Sequence, residues 1–529
     1  MSAIAAPTPP PVRSATRQRA SPAAEAIVVV EYGRRRALIV CGVMLAALLQ
    51  TLDATIVNVA LPTIEGNIGA SIDDGTWIIT GYIISNVIAI PLAPFLLMRL
   101  GRRQYYATCI IGFTVASFLC GTADSLGTLV FYRIVQGTFG GGLIATSQII
   151  LRDTFPQKAI GASSALFAIA LTVGPALGPT LGGILTDAYS WQWVFDINLV
   201  PGTIAAIIIL TSLRNPLPPQ RLPFDGVGVG LLALGLGSLQ YVLDEGERHD
   251  WFDDGRIVAF AITAVAGLIA FALWELYGTK KPIVDLRVFR YRNVRFGVPA
   301  ALVLGMIIFG PVVILPQYVQ TVLGFTATLS GLLILMRALP VMLLTPFVAR
   351  FATRLDPRII LTTGFCLSAL SFVLLSSHMT TESDFDALTA VLVVSGIGQA
   401  LLLVPLLIAI IGSVAPQDSP KASSFVSLSV QLGGSIASTV LVTAFDRRTF
   451  FHSDIFRGMA TLQNHAVTAI LARPSGRILL SRIVALQATN AGFADTISLL
   501  VPLAFAALIP VWLLRVSSRA PSAPVQVAE

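Results

Sequence analysis

Fourteen stretches of about twenty mostly apolar residues run through this 529-residue chain, with short loops between them. A span of the hydrocarbon core needs about 20 apolar residues. The stretches lie near 37–57, 77–98, 105–123, 128–151, 160–184, 193–213, 225–243, 256–276, 297–317, 328–349, 358–377, 387–412, 421–444 and 490–515. Hydrophobic residues make up 55% of the chain and charged ones 12%, with a mean hydropathy of +0.80. A soluble fold cannot keep that much apolar surface from water, whereas a bilayer can. Backbone groups in hydrocarbon must bond within the segment, so the spans are helices. Barrel strands would show about ten residues of alternating pattern instead. The expected fold is an all-α integral membrane protein with 14 transmembrane helices.

Charge sets the expected direction. Alternate loops are rich in Lys and Arg: Arg13 to Arg36, Arg99 to Arg103, Arg152 and Lys158, Arg214 and Arg221, Lys280 to Arg295, Arg350 to Arg358, Lys421, and Arg515 with Arg519. The loops between them carry acid, including Glu65, Asp73, Asp74, Asp124, Asp187 and the run from Asp244 to Asp254. The positive-inside bias puts both termini in the cytoplasm. The net charge of +7 therefore reads as topology, and no nucleic-acid partner is needed to explain it. Residues 1–36, rich in Ala, Pro and Ser, are expected to form a disordered cytoplasmic tail without a signal-peptide core.

Several chemistries are not signalled. Cys41, Cys109, Cys120 and Cys366 fall within spans and imply no disulfide or metal set. His249, His378, His452 and His465 fall in outer loops. No nucleotide-binding glycine loop of the G-x-x-x-x-G-K-[ST] type occurs. The chain reads as no enzyme, without catalytic residues, cofactor or metal.

The fifth span begins Gly161-Ala162-Ser163-Ser164 and the thirteenth begins Lys421-Ala422-Ser423-Ser424, which lays Gly174 over Gly434. The basic loop after span two is matched by one after span ten. Two six-helix halves follow, spans 1–6 and 9–14, with spans 7 and 8 inserted. The expected organisation is a tail (1–36), an N-terminal bundle (37–213), a linker with two inserted helices (214–295), a C-terminal bundle (296–515) with a long outer loop (445–489), and a cytoplasmic tail (516–529). Parallel repeats of this kind hold substrate between their halves.

Four motifs then appear in order. Span one ends Leu52-Asp53-Ala54-Thr55-Ile56-Val57-Asn58-Val59-Ala60-Leu61-Pro62. Span four holds Arg133-Ile134-Val135-Gln136-Gly137. Span five holds Gly174-Pro175-Ala176-Leu177-Gly178-Pro179-Thr180-Leu181-Gly182-Gly183. Trp191-Gln192-Trp193-Val194-Phe195-Asp196-Ile197-Asn198 follows. From about 37 to 515 the chain resembles the major facilitator superfamily, in its fourteen-span drug:proton antiporter branch of EmrB/QacA type. The resemblance implies a major facilitator fold and proton-coupled efflux of lipophilic small molecules across the cytoplasmic (inner) membrane of a bacterium. No cofactor is implied, the drive being a proton gradient. Gram-negative relatives work with a periplasmic adaptor (a membrane fusion protein) and an outer-membrane channel. The long outer loop, with its basic residues and apolar run Ile478 to Leu486, is the candidate surface for that adaptor or for the outer leaflet.

Asp53 is the carboxylate read as lying well inside a span. Such a group is functional by default, because burial is costly unless it is paired or protonated. Arg133 and Asp53 both sit some 6–8 Å below the outer ends of their spans, so they pair if helices one and four are neighbours, as in the resembling fold. Gln136, one turn deeper than Arg133, is placed to join them. The bland alternatives are a helix cap for Asp53 and an outward-snorkelling Arg133. Gly174, Gly178 and Gly182, with Gly183, permit close helix approach, and Pro175 and Pro179 permit a bend. These residues resemble the family's antiporter motif, which seals against leak and hinges the helix.

Arg99, Gly101, Arg102 and Arg103 resemble the family's loop between spans two and three. Pro94 stands where a glycine is usual and Met98 where many members have aspartate, so the charge lock between halves lacks its acid. Arg337, mid-span, is a candidate for an anionic substrate or for helix carbonyls. With Asn58 and Gln399 it completes the candidate polar groups of an otherwise apolar, aromatic-poor substrate cavity.

The competing reading is an exporter of the same fold for one endogenous metabolite, such as a siderophore, antibiotic or organic anion. A sensor would need a soluble output domain and a channel a filter segment, and the sequence offers neither.

Overall fold

The computed structural model describes residues 31–515 apart from 157, 158, 216, 217, 221, 353, 462–464 and 474. Arg13, Arg17, Arg19, Lys158, Arg221, Pro474, Arg519 and the tail at 516–529 lie outside the described residues. Fourteen helices are long and apolar enough to cross a membrane. They are α1 (Gly33–Ile68), α2 (Trp77–Leu100), α3 (Arg102–Gly121), α4 (Leu126–Thr154), α5 (Gly161–Ala188), α6 (Trp193–Ser212), α7 (Gly226–Glu245), α8 (Gly255–Gly278), α9 (Arg292–Thr321), α10 (Thr328–Phe351), α11 (Pro357–His378), α12 (Phe385–Ile411), α13 (Ser419–Met459) and α14 (Gly476–Trp512). No strand occurs among the described residues.

Local chemistry sets many of the ends. Ser125, Asp225, Thr326 and Asp356 each cap a helix start with a side-chain oxygen, which satisfies amides the helix leaves unpaired. Gly69 and Gly101 take positive φ of 72° and 87° where α1 stops and α2 turns into α3. The basic "loop" of the sequence is thus one glycine, with Arg99 in the last turn of α2 and Arg102 and Arg103 in the first turn of α3.

Three elements differ from the hydropathy reading. Helix α1 begins at Gly33, inside the expected tail, and runs eleven residues beyond the expected end at 57. Its last turns carry Thr63, Glu65 and Asn67, so hydropathy falls while the helix persists. Ile64 and Glu65 are buried there and hold it against the bundle. The expected outer loop 445–489 is mostly helical: α13 continues to Met459, a short helix spans His465–Leu471, and α14 is already under way from Gly476. This hairpin is pinned by Asp495, which accepts from His452 at 2.9 Å and lies 3.8 Å from Arg448. His378, His452 and His465 accordingly belong to helices. Asp244 and Glu245 belong to the last turn of α7 and not to a loop. Glu275, buried near the end of α8, joins Asp53 and Asp244 as a carboxylate within a helix.

The duplication is visible as packing. In one half α1 packs on α5, α2 on α4 and α3 on α4; in the other α9 packs on α13, α10 on α12 and α11 on α12. Across the divide, α5 meets α10 and α2 meets α13, which are equivalent pairs. Helices α7 and α8 pack on each other, and α7 leans on both α2 and α13. Helix α8 turns Ile262, Val265, Ile269 and Leu273 outward, an apolar face suited to lipid.

The two halves touch toward both faces, with Thr180 of α5 beside Gly331 of α10 toward the one where α1 ends. Toward the face where α1 begins and α14 ends, the terminal face, Ser424 donates to the Ile90 carbonyl at 2.8 Å and Ser423 to Gln148 at 2.5 Å. Gly140 to Leu151 of α4 and Ala422 to Val430 of α13 are buried without a break. Toward the opposite, far face, α1 passes from half-buried Ala54 to exposed Asn58, Pro62 and Thr63.

Candidate functional site

Asp53 lies midway along α1, fully buried at 0% exposure. Arg133 and Gln136 reach it from α4, one turn apart and therefore on one face. Arg133 Nη1 donates to Asp53 Oδ2 at 2.7 Å and to Gln136 Oε1 at 2.7 Å. Gln136 Nε2 donates to Asp53 Oδ1 at 2.9 Å. Arg133 Nε donates to the Ile78 carbonyl at 3.1 Å, and the guanidinium lies 4.1 Å from the Tyr82 ring centroid. Asn198 Nδ2 donates to Asp53 Oδ1 at 3.2 Å and to Ser117 Oγ at 2.9 Å. Both carboxylate oxygens of Asp53 are therefore bonded, and the pair is buried.

The structure brings Asp53, Arg133 and Gln136 together as the sequence expected, and it adds Asn198, Ser117 and Tyr82. Asn198 sits where α6 is broken between Trp193–Asp196 and Leu199–Ser212, and that break aims its amide at α1. It was legible only as the last residue of a family mark. Ser117 and Tyr82 carried no signal, being polar groups on otherwise ordinary apolar helices.

Burying two charges is favourable only when geometry and hydrogen bonds compensate the lost hydration. Here they do. Removing the charge of Asp53 leaves Arg133 with neutral partners in a dry pocket, which costs about 3–5 kcal/mol for a broken buried pair. The cluster joins α1, α4 and α6.

The antiporter-motif residues face the same stretch of α1. A side chain at Gly174 would meet Thr51 and the Leu52 amide, one at Gly178 would meet Thr55 and the Ile56 amide, and one at Gly182 the Ile56 carbonyl. Gly183 is also buried. Thr51 donates to the Ala170 carbonyl at 3.1 Å. Pro175 and Pro179 lie within the unbroken helix α5. The small-residue ridge therefore grips α1 on either side of Asp53 in sequence. Helix α5 in turn touches α10, at Gly161 beside Ala349 and at Thr180 beside Gly331.

A small central cavity lies between the halves. Gln50, Thr51 and Ala54 wall it from α1, Phe167 and Leu171 from α5, Ser427 and Gln431 from α13. With Gly174 laid over Gly434, Phe167 falls on Ser427 and Leu171 on Gln431, so both repeats contribute the same two positions. No carboxylate lines it among the described residues. Gln50 and Gln431, which the sequence reading did not single out, supply its amides.

The three expected cavity residues lie elsewhere. Arg337 is buried and spends all three nitrogens on protein, with Nη2 to the Ile307 carbonyl at 2.8 Å, Nη1 to Ile308 at 3.0 Å and Nε to Ser395 at 3.2 Å. Pro311 has no amide to offer Ile307, and Arg337 takes up that carbonyl. Of its two sequence readings, the structure shows helix carbonyls. Gln399 donates to Thr172 at 3.4 Å and lines with Arg337 a second, smaller cavity beside Pro175. Asn58 is exposed, one turn beyond Ala54 toward the far face.

The basic residues between α2 and α3 act within one half. Arg102 is buried, bonds the Arg214 carbonyl at 3.0 Å and pairs with Asp153 of α4 at 3.4 Å. The amide of Arg103 donates to Asn215 at 2.8 Å. Arg99 lies over the Phe224 ring. Among the described contacts none of them crosses to the C-terminal half.

The model of the Major Facilitator Superfamily matches residues 43–437. The chain belongs to the major facilitator superfamily. It is 35% identical over 421 residues to the multidrug export protein EmrB of Escherichia coli K12, covering 79% of this chain and 82% of that one. It is 35% identical over 413 residues to the fatty acid resistance protein FarB of Neisseria gonorrhoeae, covering 78% and 81%. A colistin resistance protein EmrB of Acinetobacter baumannii is 32% identical over 79% and 81%. These place it in the EmrB-type branch. The fold is shared with human MFSD10, an organic anion transporter, at a TM-score of 0.58 and 15% identity over 91% of this chain and 99% of that one. It is shared also with the proton:xylose symporter XylE, at 0.58 and 12% over 90% and 95%. The chain is thus a multi-pass membrane protein with a transporter fold.

Proposed function

We propose that this transporter exports lipophilic small molecules from the bacterial cytoplasm or inner leaflet across the inner membrane, exchanging them for protons by alternating access. The observation that carries the reading is the Asp53–Arg133–Gln136–Asn198 cluster, a buried ion pair one turn from a cavity wall. The names of EmrB, FarB and the colistin resistance protein support export of amphipathic compounds. The mixed wall of Phe167, Phe309, Leu407 and a few amides supports recognition by buried area more than by a fixed hydrogen-bond code.

With both termini in the cytoplasm, as the charge bias indicates, the terminal face is cytoplasmic and the conformation described is closed on that side. A proton arriving from outside converts Asp53 to a neutral acid and releases Arg133 from its counter-ion. Helices α1 and α4 then shift, and the glycine ridge of α5 passes the movement to α10 across the divide. The drive is sufficient, since one charge crossing 100 mV is worth about 2.3 kcal/mol. The projecting hairpin formed by the ends of α13 and α14 is the surface we assign to a periplasmic adaptor, with an outer-membrane channel beyond it.

Flux in proteoliposomes under an imposed pH gradient tests this reading. A panel of lipophilic drugs is expected to move with the gradient in the native protein and not in Asp53→Asn at equal incorporation. Gradient-dependent movement of a single biosynthetic product, with none for any drug, would favour a dedicated metabolite exporter instead.

A further inference from the structure

The last turn of α7 is fastened to both halves at the far face and carries an acid with no part in the cluster around Asp53. From α2, Trp77 stacks on Tyr241 at 5.6 Å and Thr76 donates to Glu245 at 3.2 Å. From α13, Thr439 donates to the Leu243 carbonyl at 2.7 Å, and Gln240 donates to Ser435. Between these joints Gln240 Nε2 donates to Asp244 Oδ1 at 2.8 Å. Gln240 is fully buried at 0% exposure. Its Oε1 and the Oδ2 of Asp244 are shielded from solvent and have no hydrogen-bond partner.

The surroundings of Asp244 supply no cation among the described pairs. Its neighbours from α2 and α13 are the hydroxyls of Thr80 and Ser435. On its own helix stands Glu245, which lies 3.7 Å from Arg248, and Tyr241, which packs on Phe260 of α8. Beyond α7, Arg256 is paired with Asp254 at 2.9 Å. Asp446 on α13 lies beyond Thr439 and faces Glu247.

The unpartnered atoms are both acceptors. A carboxylate and an amide oxygen cannot bond one another, but a protonated carboxyl group is a donor with acceptor capacity left over. One proton on Asp244 therefore removes a buried charge that no cation among the described pairs offsets, and adds a donor beside Gln240, Ser435 and Thr80. We propose that Asp244 is a second proton-binding site, carried by the inserted helix, and that its proton fastens α7 between α2 and α13 at the far face. Loss of that proton leaves a buried carboxylate with no cation among the described pairs to offset it, which frees α13 from α7 and lets the halves part on that side. The proposal extends the proton-coupled reading above, but its test does not pass through Asp53.

The test is an infrared pH titration of the full-length protein in lipid nanodiscs, made in an Asp53→Asn background. A protonated-carboxyl band is expected to grow as pH falls. It should lose a component in Asp53→Asn/Asp244→Asn, leaving that of other acids such as buried Glu275, and shift in Asp53→Asn/Ser435→Ala, where the acid remains but a hydrogen-bond partner is gone. Replacing potassium by sodium should leave that component unchanged. A band unaltered by loss of Asp244 overturns the proposal, and so does a component that sodium abolishes, which would make this a sodium site. Should Asp244→Asn fail to fold, the Ser435→Ala protein decides alone, and an unmoved band counts against the site. Retention of pH-driven transport by Asp53→Asn would strike the Asp53 reading and leave this band intact.

Discussion

At the scale of single residues, the pair Asp53–Arg133 allows a prediction in which stability and transport separate. Arg133→Ala strands a buried carboxylate and should lower unfolding stability by about 3–5 kcal/mol, read as a drop in thermal unfolding temperature. Replacing both charges together, Asp53→Leu with Arg133→Met, should recover much of that loss, because a buried pair exchanged for apolar groups is often neutral. The double variant should remain dead in transport. Recovery of transport with the fold would show that the pair merely packs the bundle. The sequence made Asp53, Arg133 and Gln136 legible because charge in an apolar run is conspicuous. Ser117 and Gln50 were not, and Asn198 only as the end of a family motif, since a lone neutral polar group in a helix carries no such contrast. Arg337 was conspicuous too, yet charge in a span does not say which way it points, and here it answers a carbonyl freed by Pro311.

At the scale of elements, the α1–α5 contact depends on the absence of side chains on α5. Gly178→Val should overpack against Thr55 and the Ile56 backbone and destabilise by about 1–3 kcal/mol. Substrate binding should survive better than flux, because the cavity wall at Phe167 and Leu171 lies further along the helix. Equal loss of both in equilibrium binding and flux assays would argue against a hinge role.

A second element-scale prediction concerns the junction between the linker and α13. Asp418 accepts from Lys421 at 2.8 Å, Tyr291 at 3.0 Å and Arg290 at 3.1 Å, and Lys421 also reaches Asp285 at 2.8 Å. Burial pushes the Asp418 carboxyl up, but Lys421, Tyr291 and Arg290 outweigh it and hold it below the ordinary carboxylate value. A folded-state value below the unfolded one means stability present above the unfolded value and lost as pH falls through the folded one. The native protein should thus lose thermal stability on acidification more steeply than Asp418→Asn, and parallel curves would contradict the role. Element ends were the least legible feature. Hydropathy marked where α1 and α13 leave hydrocarbon, while the helices continue for eleven and fifteen residues beyond the expected ends at 57 and 444. Backbone hydrogen bonding does not stop where the membrane does.

At the scale of the whole molecule, the helix count, the halves and the insertion of α7 and α8 were all readable, because span length and the Ala-Ser-Ser repeat report them directly. How far the halves are parted at each face was not readable, since one sequence serves every conformation. The contacts of Ser424 with Ile90 and of Ser423 with Gln148 place the closed side at the terminal face. A disulfide between Ile90→Cys and Ser424→Cys should therefore form readily and arrest flux, with recovery on reduction. Full flux in the oxidised protein would exclude rocking about this interface.

Proton release on substrate addition tests the coupling most directly. Purified transporter in weakly buffered detergent, with a pH indicator, should release protons when a transported drug is added, and Asp53→Asn should release markedly fewer while still binding the drug. Equal release from the two proteins would contradict the assignment of Asp53 as the group that exchanges its proton for substrate.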